Sequence, residues 1–195
     1  GKDLSRAVFS RANLQGANLR GANLTYAQLD GVDLDNACLD EADLSNVRFD
    51  LLDIRHCSFE RARLTNASFR GTNLIRAKMA GARLAGVNLE GGMFDLADLA
   101  EADLSGANFR GVRMESARLA GAKLIGANLE GAPLSGCNLV GASLEEASAQ
   151  RVQLNGANLK DAKLMRGNFR EANFHQANLE GASFEGADIC HASLN

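Results

Sequence analysis

Hydrophobic residues recur at every fifth position of this chain. In the stretch GANLRGANLTYAQLDGVDL, residues 16–34, leucine occupies positions 19, 24, 29 and 34. A helix turns by about 100° per residue, so side chains five apart would spread around it and form no single face. In a continuous strand an odd spacing would send alternate leucines to opposite faces of the sheet. The period therefore predicts neither a helix nor a continuous strand.

The period runs from position 4 to position 194 without an insertion or deletion. These 39 positions, here called the central site, hold 25 Leu, nine Phe, two Ile, two Met and Ala149. The position two before, here called the small-residue site, is Ala 27 times. Asn, Asp and Ser predominate directly before the central site, and 18 of the 20 glycines lie two after it. The repeated unit is A-(N/D)-L-x-G.

Such a unit fits a short extended segment that ends in a sharp corner. The central and small residues are two apart, so both side chains would point to the same side. Glycine two after the centre suits the third position of a type II turn, where φ is positive. Asn or Asp before the centre can bond backbone groups near the corner. If the chain turns by about 90° at each corner, four units close a coil of about 20 residues, filled by Leu and Ala.

The 20-residue coil makes residues 20 apart stacked neighbours, which the sequence can test. Positions 50, 70, 90, 110 and 130 read Asp, Arg, Glu, Arg and Glu, alternating in sign as cross-strand pairing favours. Five of the nine phenylalanines share one column. They are Phe9, Phe49, Phe69, Phe109 and Phe169. Both observations support the predicted coil.

In units such as ANLQG, ANLRG, ADLSG and ANLEG, the sequence resembles the pentapeptide-repeat proteins over essentially its whole length. The resemblance implies an all-β fold, a right-handed quadrilateral β-helix of nearly ten coils, in one domain over residues 1–195. Within it, the glycine-rich stretch from Gly81 to Gly141 is expected to favour type II corners. Less regular corners are expected at Asn36, Glu41, Asn46, Leu51, His56, Arg61 and Asn66.

The pattern is already in register at the first residue and stops in mid-unit at the last. Solenoids normally cap their ends, because naked coils expose unpaired strand edges and apolar cross-sections. We therefore expect a domain excised from a longer protein, or an end covered by another copy. Phe169, Phe174 and Phe184 would give an end-to-end homodimer through the C-terminal coils an apolar base.

The residue types give no support for catalysis. The three histidines, His56, His175 and His191, fall on outward sites and are too far apart for shared metal ligation. No glycine loop precedes a helix as in a phosphate-binding motif, and a solid rod offers no cleft that would desolvate paired carboxylates. We expect no enzyme activity, no cofactor and no metal site. No apolar run approaches the roughly 20 residues of a membrane span.

The cysteines and the net charge bear on the compartment. Four cysteines without CxxC spacing favour a reducing, cytosol-like setting, and hence a cytoplasmic protein. The net charge of −3 predicts little about partners.

Acidic residues are concentrated between positions 30 and 53, where eight acids face only Arg48. The candidate partner-binding acidic patch consists of Asp30, Asp33, Asp35, Asp50 and Asp53. In the predicted coil Asp30 stacks on Asp50 and Asp33 on Asp53, which is locally unfavourable. The patch is either a solvated band, neutralised by the basic band from Arg55 to Arg83, or a docking site for a basic partner.

A second candidate surface is apolar and occupies outward sites in the third to fifth coils. It consists of Leu51, Ile75, Met93 and Leu96. Scattered exposed hydrophobic residues are normal, so these residues are either that or a partner contact. Leu52, beside Leu51, is the only leucine at a small-residue site.

Members of the family that this sequence resembles include bacterial proteins that protect DNA gyrase from fluoroquinolones by resembling duplex DNA. Duplex DNA carries one negative charge per about 1.7 Å, so a rod of about 45 Å would need about 26 charges. This chain has 24 acidic but also 21 basic residues, scattered along its length. The chain therefore does not match the charge of DNA along the whole rod. Only the hypothesis of a partial mimic, through the acidic patch, is left.

The first hypothesis is a non-catalytic bacterial rod that serves as a protein-interaction or structural module. Its partner would be a protein, with no direct binding of nucleic acid. The gyrase-directed DNA mimic is the second hypothesis. A third is the repeat domain of a bacterial secretion-system or effector protein, which would place it outside the cytoplasm.

Overall fold

The chain folds into stacked coils that are joined by isolated parallel bridges. The computed structural model describes residues 1–195 and contains no α-helix and no strand longer than a single bridged residue. With three exceptions, each residue directly before a central site pairs with the residue 20 positions later, from Asp3 with Asn23 to Asn173 with Ser193. The predicted period of 20 residues is confirmed, and the fold is a β-helix. Corners at every fifth residue keep each extended segment this short.

The interior consists of the central and small-residue sites, as the pattern predicts. Every central residue from Leu24 to Phe174 is buried, and so is every residue at the small-residue site between positions 22 and 172. The rings of Phe49 and Phe69 stack with centroids 4.8 Å apart, which fits their predicted common column. Ala149 is 0% exposed and keeps its backbone bond to the next coil.

The corners are β-turns with one uniform backbone. Three residues after each centre an N–H donates to the central carbonyl, as Ala37 does to Leu34 at 2.8 Å. At the third position of these turns φ is positive throughout, 61–69° in 17 glycines and 55–63° in 21 other residues. The positive φ predicted for the glycine corners is therefore confirmed.

The less regular corners expected at seven non-glycine residues do not differ from the glycine corners in φ. From Asn36 to Asn66 φ at this site is 56–63°, and the turn bonds are all present. Three of the seven, Asn36, His56 and Asn66, do lack the N–H bond to the next coil that most other corners make. Each such residue adopts the left-handed conformation at a cost of about 1–2 kcal/mol.

Side-chain carboxylates and amides satisfy the backbone just before each corner. All 19 Asn and Asp residues directly before a central site accept a hydrogen bond from the N–H two residues later. In three units the residue directly before the central site is Ser or Arg. There an aspartate of the preceding coil accepts the same backbone N–H instead, at 2.9–3.0 Å. These acceptor–donor pairs are Asp40–Glu60, Asp50–Arg70 and Asp95–Glu115. The prediction for Asn and Asp at this site is confirmed.

Candidate interaction surface

Six backbone hydrogen bonds that the repeat would form between two neighbouring coils are absent at the acidic patch. The N–H groups without their usual carbonyl partners belong to Leu29, Gly31, Leu34, Asn36, Arg48 and Asp53. Bonds on both sides are intact, from Leu24 to Asp43 at 2.8 Å and from Leu39 to Ser58 at 2.7 Å. Two of the three missing bridges fall here as well. We call this gap, which separates residues 27–36 from residues 47–56, the split.

The split opens the surface into two adjoining clefts. One has a volume of about 250 Å³ and is lined by Tyr26, Ala27, Gln28, Leu29, Asp30, Asn46 and Arg48. The other has a volume of about 300 Å³ and is lined by Leu29, Asp30, Arg48, Asp50, Leu51 and Leu52. Core residues behind them are slightly exposed, with Ala27 at 5% and Leu52 at 8%. In the same columns three coils later, Val87 and Val112 are each 1% exposed.

The five aspartates of the acidic patch lie on the two sides of the split. Asp30, Asp33 and Asp35 belong to one coil, and Asp50 and Asp53 to the next. The structure therefore places the predicted aspartates on both sides of one gap. Whether the patch binds a partner stays a prediction.

Several of these carboxylates also support the local backbone. Asp33 accepts the N–H of Asp35 at 3.0 Å, and Asp53 accepts the N–H of Arg55 at 3.5 Å. Asp50 accepts the hydroxyl of Ser68 and the N–H of Arg70. Their charges and their structural bonds are separable, because asparagine makes the same backbone contact at equivalent sites.

Three basic side chains at the split lie close to aspartates of the acidic patch. Arg48 approaches Asp30 at 3.7 Å across the gap, and Nδ1 of His56 lies 3.4 Å from Asp35. Arg55 pairs with Asp53, two residues before it, at 2.9 Å. All of these pairs are well exposed, so each contributes little to stability. Their positions follow from the 20-residue register, which places residue 48 near residue 30 and residue 56 near residue 35.

Two local features coincide with the split. Asp30 stacks towards Asp50 and Asp33 towards Asp53, two like-charged pairs in consecutive units, whereas single like-charged pairs such as Arg63 with Arg83 keep the backbone bonds beside them. Leu52 also stands at a site where Ala is usual, and the axis of the coil is narrow there. An oversized side chain in a packed interior pushes backbone apart. Like charges and crowding act at the same place.

The four residues of the apolar patch lie on neighbouring coils, and one of them also lines the split. Met93 lies beside Asn73, its bridge partner, and therefore near Ile75, while Leu96 lies at the following corner. Leu51 is 83% exposed and lines the split. Its side chain extends over the bare backbone of Gly71, where a Cβ would lie 2.8 Å from Cδ2 of Leu51. The structure thus groups Leu51 with the acidic patch.

No group of three or more His, Cys, Asp or Glu side chains could hold a metal ion. Burial raises the pKa of the Cys57 and Cys137 thiols to about 12, which opposes thiolate formation. Each thiol donates to a backbone carbonyl, Cys57 to Leu34 at 2.9 Å and Cys137 to Met114 at 3.0 Å. No helix with the length and apolar character of a membrane span occurs.

Comparison with known proteins places the chain among repeat proteins. The family described as pentapeptide repeats matches in eight copies, over residues 3–40, 27–66, 53–91, 97–136, 130–166 and 167–195. None of the curated proteins matches the sequence.

Solved structures of two related proteins resemble the fold. HetL, a pentapeptide repeat protein involved in heterocyst differentiation regulation from the cyanobacterium Nostoc sp. strain PCC 7120, is 31% identical with a TM-score of 0.79. The alignment covers 99% of this chain and 90% of HetL. QnrB1, a plasmid-mediated fluoroquinolone resistance protein, is 18% identical with a TM-score of 0.47, over 97% of this chain and 90% of QnrB1. From the repeat that the sequence carries, the register of its coils, the family match and the similarity to HetL, the chain belongs to the pentapeptide-repeat family.

Proposed function

We propose that this protein is a non-catalytic rod that binds a protein partner at the split, and so serves as an interaction or structural module. The observation that carries the proposal is the coincidence of the interrupted backbone bonding with five carboxylates at one place. Elsewhere on the surface many acidic side chains pair with basic ones of a neighbouring coil. Arg63 lies 3.5 Å from Asp43, and Arg118 lies 3.6 Å from Asp98. A regulatory role of the kind described for HetL is compatible with a protein that acts by contact.

The finer architecture belongs to the same proposal. Four corners in every 20 residues support a right-handed, four-sided coil, repeated nearly ten times in a single domain over residues 1–195. The four cysteines are unpaired, which supports a reducing, cytoplasmic compartment and fits a bacterial host. An end-to-end homodimer through the C-terminal coils remains part of the proposal, supported by the cluster of Phe169, Phe174 and Phe184.

Site-specific photo-cross-linking in the producing cell tests the function. A photoreactive amino acid is placed at Tyr26, beside the split, and at Glu146, six coils later in the same column. The four substitutions Asp30→Asn, Asp33→Asn, Asp50→Asn and Asp53→Asn then remove charge while keeping the oxygen that accepts backbone N–H groups. We expect a defined protein adduct at position 26 that the fourfold variant loses, and no such adduct at 146.

Equal adducts at both positions, or an adduct that the fourfold variant retains while circular dichroism shows it folded, would contradict the proposal.

The gyrase-directed DNA mimic is the second function, and the charge of the acidic patch is what favours it. It requires a continuous acidic face, which Arg48 and Arg55 interrupt at the split itself. Titrating the rod into a gyrase supercoiling reaction, with and without a fluoroquinolone, separates the two. Inhibition that the fourfold variant loses would favour the mimic, and no inhibition by the folded rod would exclude it. A secretion-system or effector role is a third hypothesis, since the repeat alone is compatible with it.

A further inference from the structure

The split leaves backbone donors and acceptors of both coils without partners. On the first coil the free N–H groups are those of Leu29, Gly31, Leu34 and Asn36, and the free carbonyls are those of Ala27 and Val32. On the second coil the free N–H groups are those of Arg48 and Asp53, and the free carbonyls are those of Arg48, Asp50, Asp53 and Arg55. Backbone groups of this kind almost always find a partner in folded proteins. An interrupted ladder is therefore a template for another chain.

We infer that the split accepts an extended, lysine- or arginine-bearing peptide segment of a partner protein, which pairs with these backbone groups as an added strand. This inference rests on the proposed function and specifies how the partner is held. Strand addition of this type takes affinity from main-chain hydrogen bonds and specificity from alternate side chains.

The charges at the split favour a positively charged segment. Five aspartates surround the free backbone groups, and the basic side chains among them are exposed and loosely held. Arg48 and Asp30 are 74% and 68% exposed and stand 3.7 Å apart. A lysine of the segment can replace Arg48 as the partner of Asp30 at little cost in free energy, because exposed ion pairs contribute little to stability. An acidic peptide, a nucleic acid or an anionic membrane would meet the wrong sign of charge.

The layout of the missing bonds sets the length and shape of the segment. Three of the six belong to the unit of residues 27–31 and three to the unit of residues 32–36, with the corner of Gly31 between them. The segment therefore spans about six residues and bends once, near its middle. Leu51 and Leu52, at the same corner, offer apolar contact to one uncharged side chain.

The sequence Lys-Val-Lys-Gly-Lys-Val-Lys, acetylated and amidated, is a probe with these properties. Its glycine permits the bend, and its lysines alternate with valine as an extended strand requires. Backbone hydrogen exchange of the full 195-residue chain, measured by NMR, is the readout. In the free protein the amides of Leu29, Leu34 and Asp53 are expected to exchange rapidly. The peptide is expected to slow them by about tenfold or more and to leave Leu89 and Phe94 unchanged.

Two matched controls separate strand pairing from charge attraction alone. The same peptide with both valines N-methylated keeps its charge but loses backbone donors, so it is expected to give no protection. The double variant Asp33→Asn, Asp53→Asn keeps its backbone caps and is expected to weaken binding of the unmodified peptide by about tenfold.

Equal protection by the N-methylated peptide, or no protection at millimolar unmodified peptide, would overturn the inference. If the cross-linked partner at position 26 is still lost in the fourfold variant, the proposed function survives that result and only the strand mode fails. If the adduct is absent but the peptide protects the amides, the proposed function fails and the strand site stands.

Discussion

The split can be compared with the pair of coils that occupies the same columns three coils later, here called its counterpart. In the counterpart the two coils are joined by all their backbone bonds, and in the split they are not. The counterpart joins residues 87–96 to residues 107–116, each 60 positions beyond the split. All six backbone bonds that the split lacks are present there, at 2.6–3.0 Å, and so are both bridges. The central residues are of the same kind in both regions, leucine and phenylalanine with one isoleucine or methionine. The central site therefore does not decide whether two coils close.

The two regions differ at the small-residue site. Leu52 lies above Val32 in the split, whereas Val112 lies above Gly92 in the counterpart. At Gly92 a Cβ would come within 2.7 Å of the Phe94 ring, so the ring already occupies the space that a larger residue would need. Interiors packed to this density respond to a single additional methylene group.

Stacked charge is the other difference. Asp30 and Asp33 stack on Asp50 and Asp53 in the split. In the counterpart Glu90 stacks on Arg110, and Arg113 reaches Asp95 at 2.9 Å. Cross-strand pairs of opposite sign stabilise a sheet by about 0.2–1 kcal/mol each, and like charges destabilise it. The comparison shows that closure depends on the outer and small positions of the unit.

A second, smaller interruption lies at Pro133 and has a different origin. Pro133 has no N–H to donate to Val112, and its bridge to Arg113 is missing. The N–H groups of Gly111 and Met114 also lose their partners in the next coil. One proline thus opens one corner, because proline removes a ladder donor. The surface there carries no cluster of like charges, which distinguishes it from the split.

The largest expected effect comes from truncating matched central leucines. Leu89→Ala in the closed region is expected to cost about 2–5 kcal/mol of unfolding free energy, since it leaves a cavity in a tight interior. Leu29→Ala, at the same column of the split, is expected to cost about 1 kcal/mol less, because the loosened coil can collapse. Urea unfolding of the two variants and the parent measures the difference. Equal costs would show that the split is packed as tightly as its counterpart.

A smaller effect is expected from exchanging the residues at the small-residue site. Val112→Leu is expected to destabilise the closed region by about 1–3 kcal/mol through overpacking. Amide exchange at Leu89 and Gly91 should accelerate as that region opens. The reciprocal change, Leu52→Val, is expected to slow exchange at Leu29 and Gly31 by restoring the missing bonds. If exchange at Leu29 is unaffected, crowding is not a cause of the split and like charge alone maintains it.

The smallest expected effect is a difference in alkylation rate between two chemically similar thiols. Burial raises the pKa of both Cys57 and Cys137 to about 12, and both are fully buried in the folded chain. Their alkylation therefore follows local opening. Cys57 lies beside the split, which lacks six backbone bonds, and Cys137 lies beside the Pro133 interruption, which lacks three. After Cys38→Ser and Cys190→Ser, we expect Cys57 to react with iodoacetamide about tenfold faster, which corresponds to about 1.4 kcal/mol in opening free energy. Equal rates, measured by mass spectrometry, would show that the split does not lower the local stability.

Much of this fold could be predicted from residues alone, because its contacts are periodic. The period of five gave the buried sites, the side of each residue and the 20-residue register, and from that register the stacking of Asp30 on Asp50 and of Asp33 on Asp53. The corner prediction did not hold for φ at residues such as Leu51, where local propensity disfavours positive φ but the bond of its N–H to Arg70 in the next coil supports it. The apolar patch stays a prediction, and only the structure shows that Leu51 lines a cleft together with Asp30 and Asp50.

The sequence by itself determined the β-helix, its register and its core, because a repeat specifies one local geometry and every coil supports the next. It also determined that like charges would meet at the acidic patch. Only the tertiary structure decided that six backbone bonds stay unformed where those charges and Leu52 lie. Whether a coil closes depends on the sum of packing and charge between two stacked segments, and no single unit carries that information.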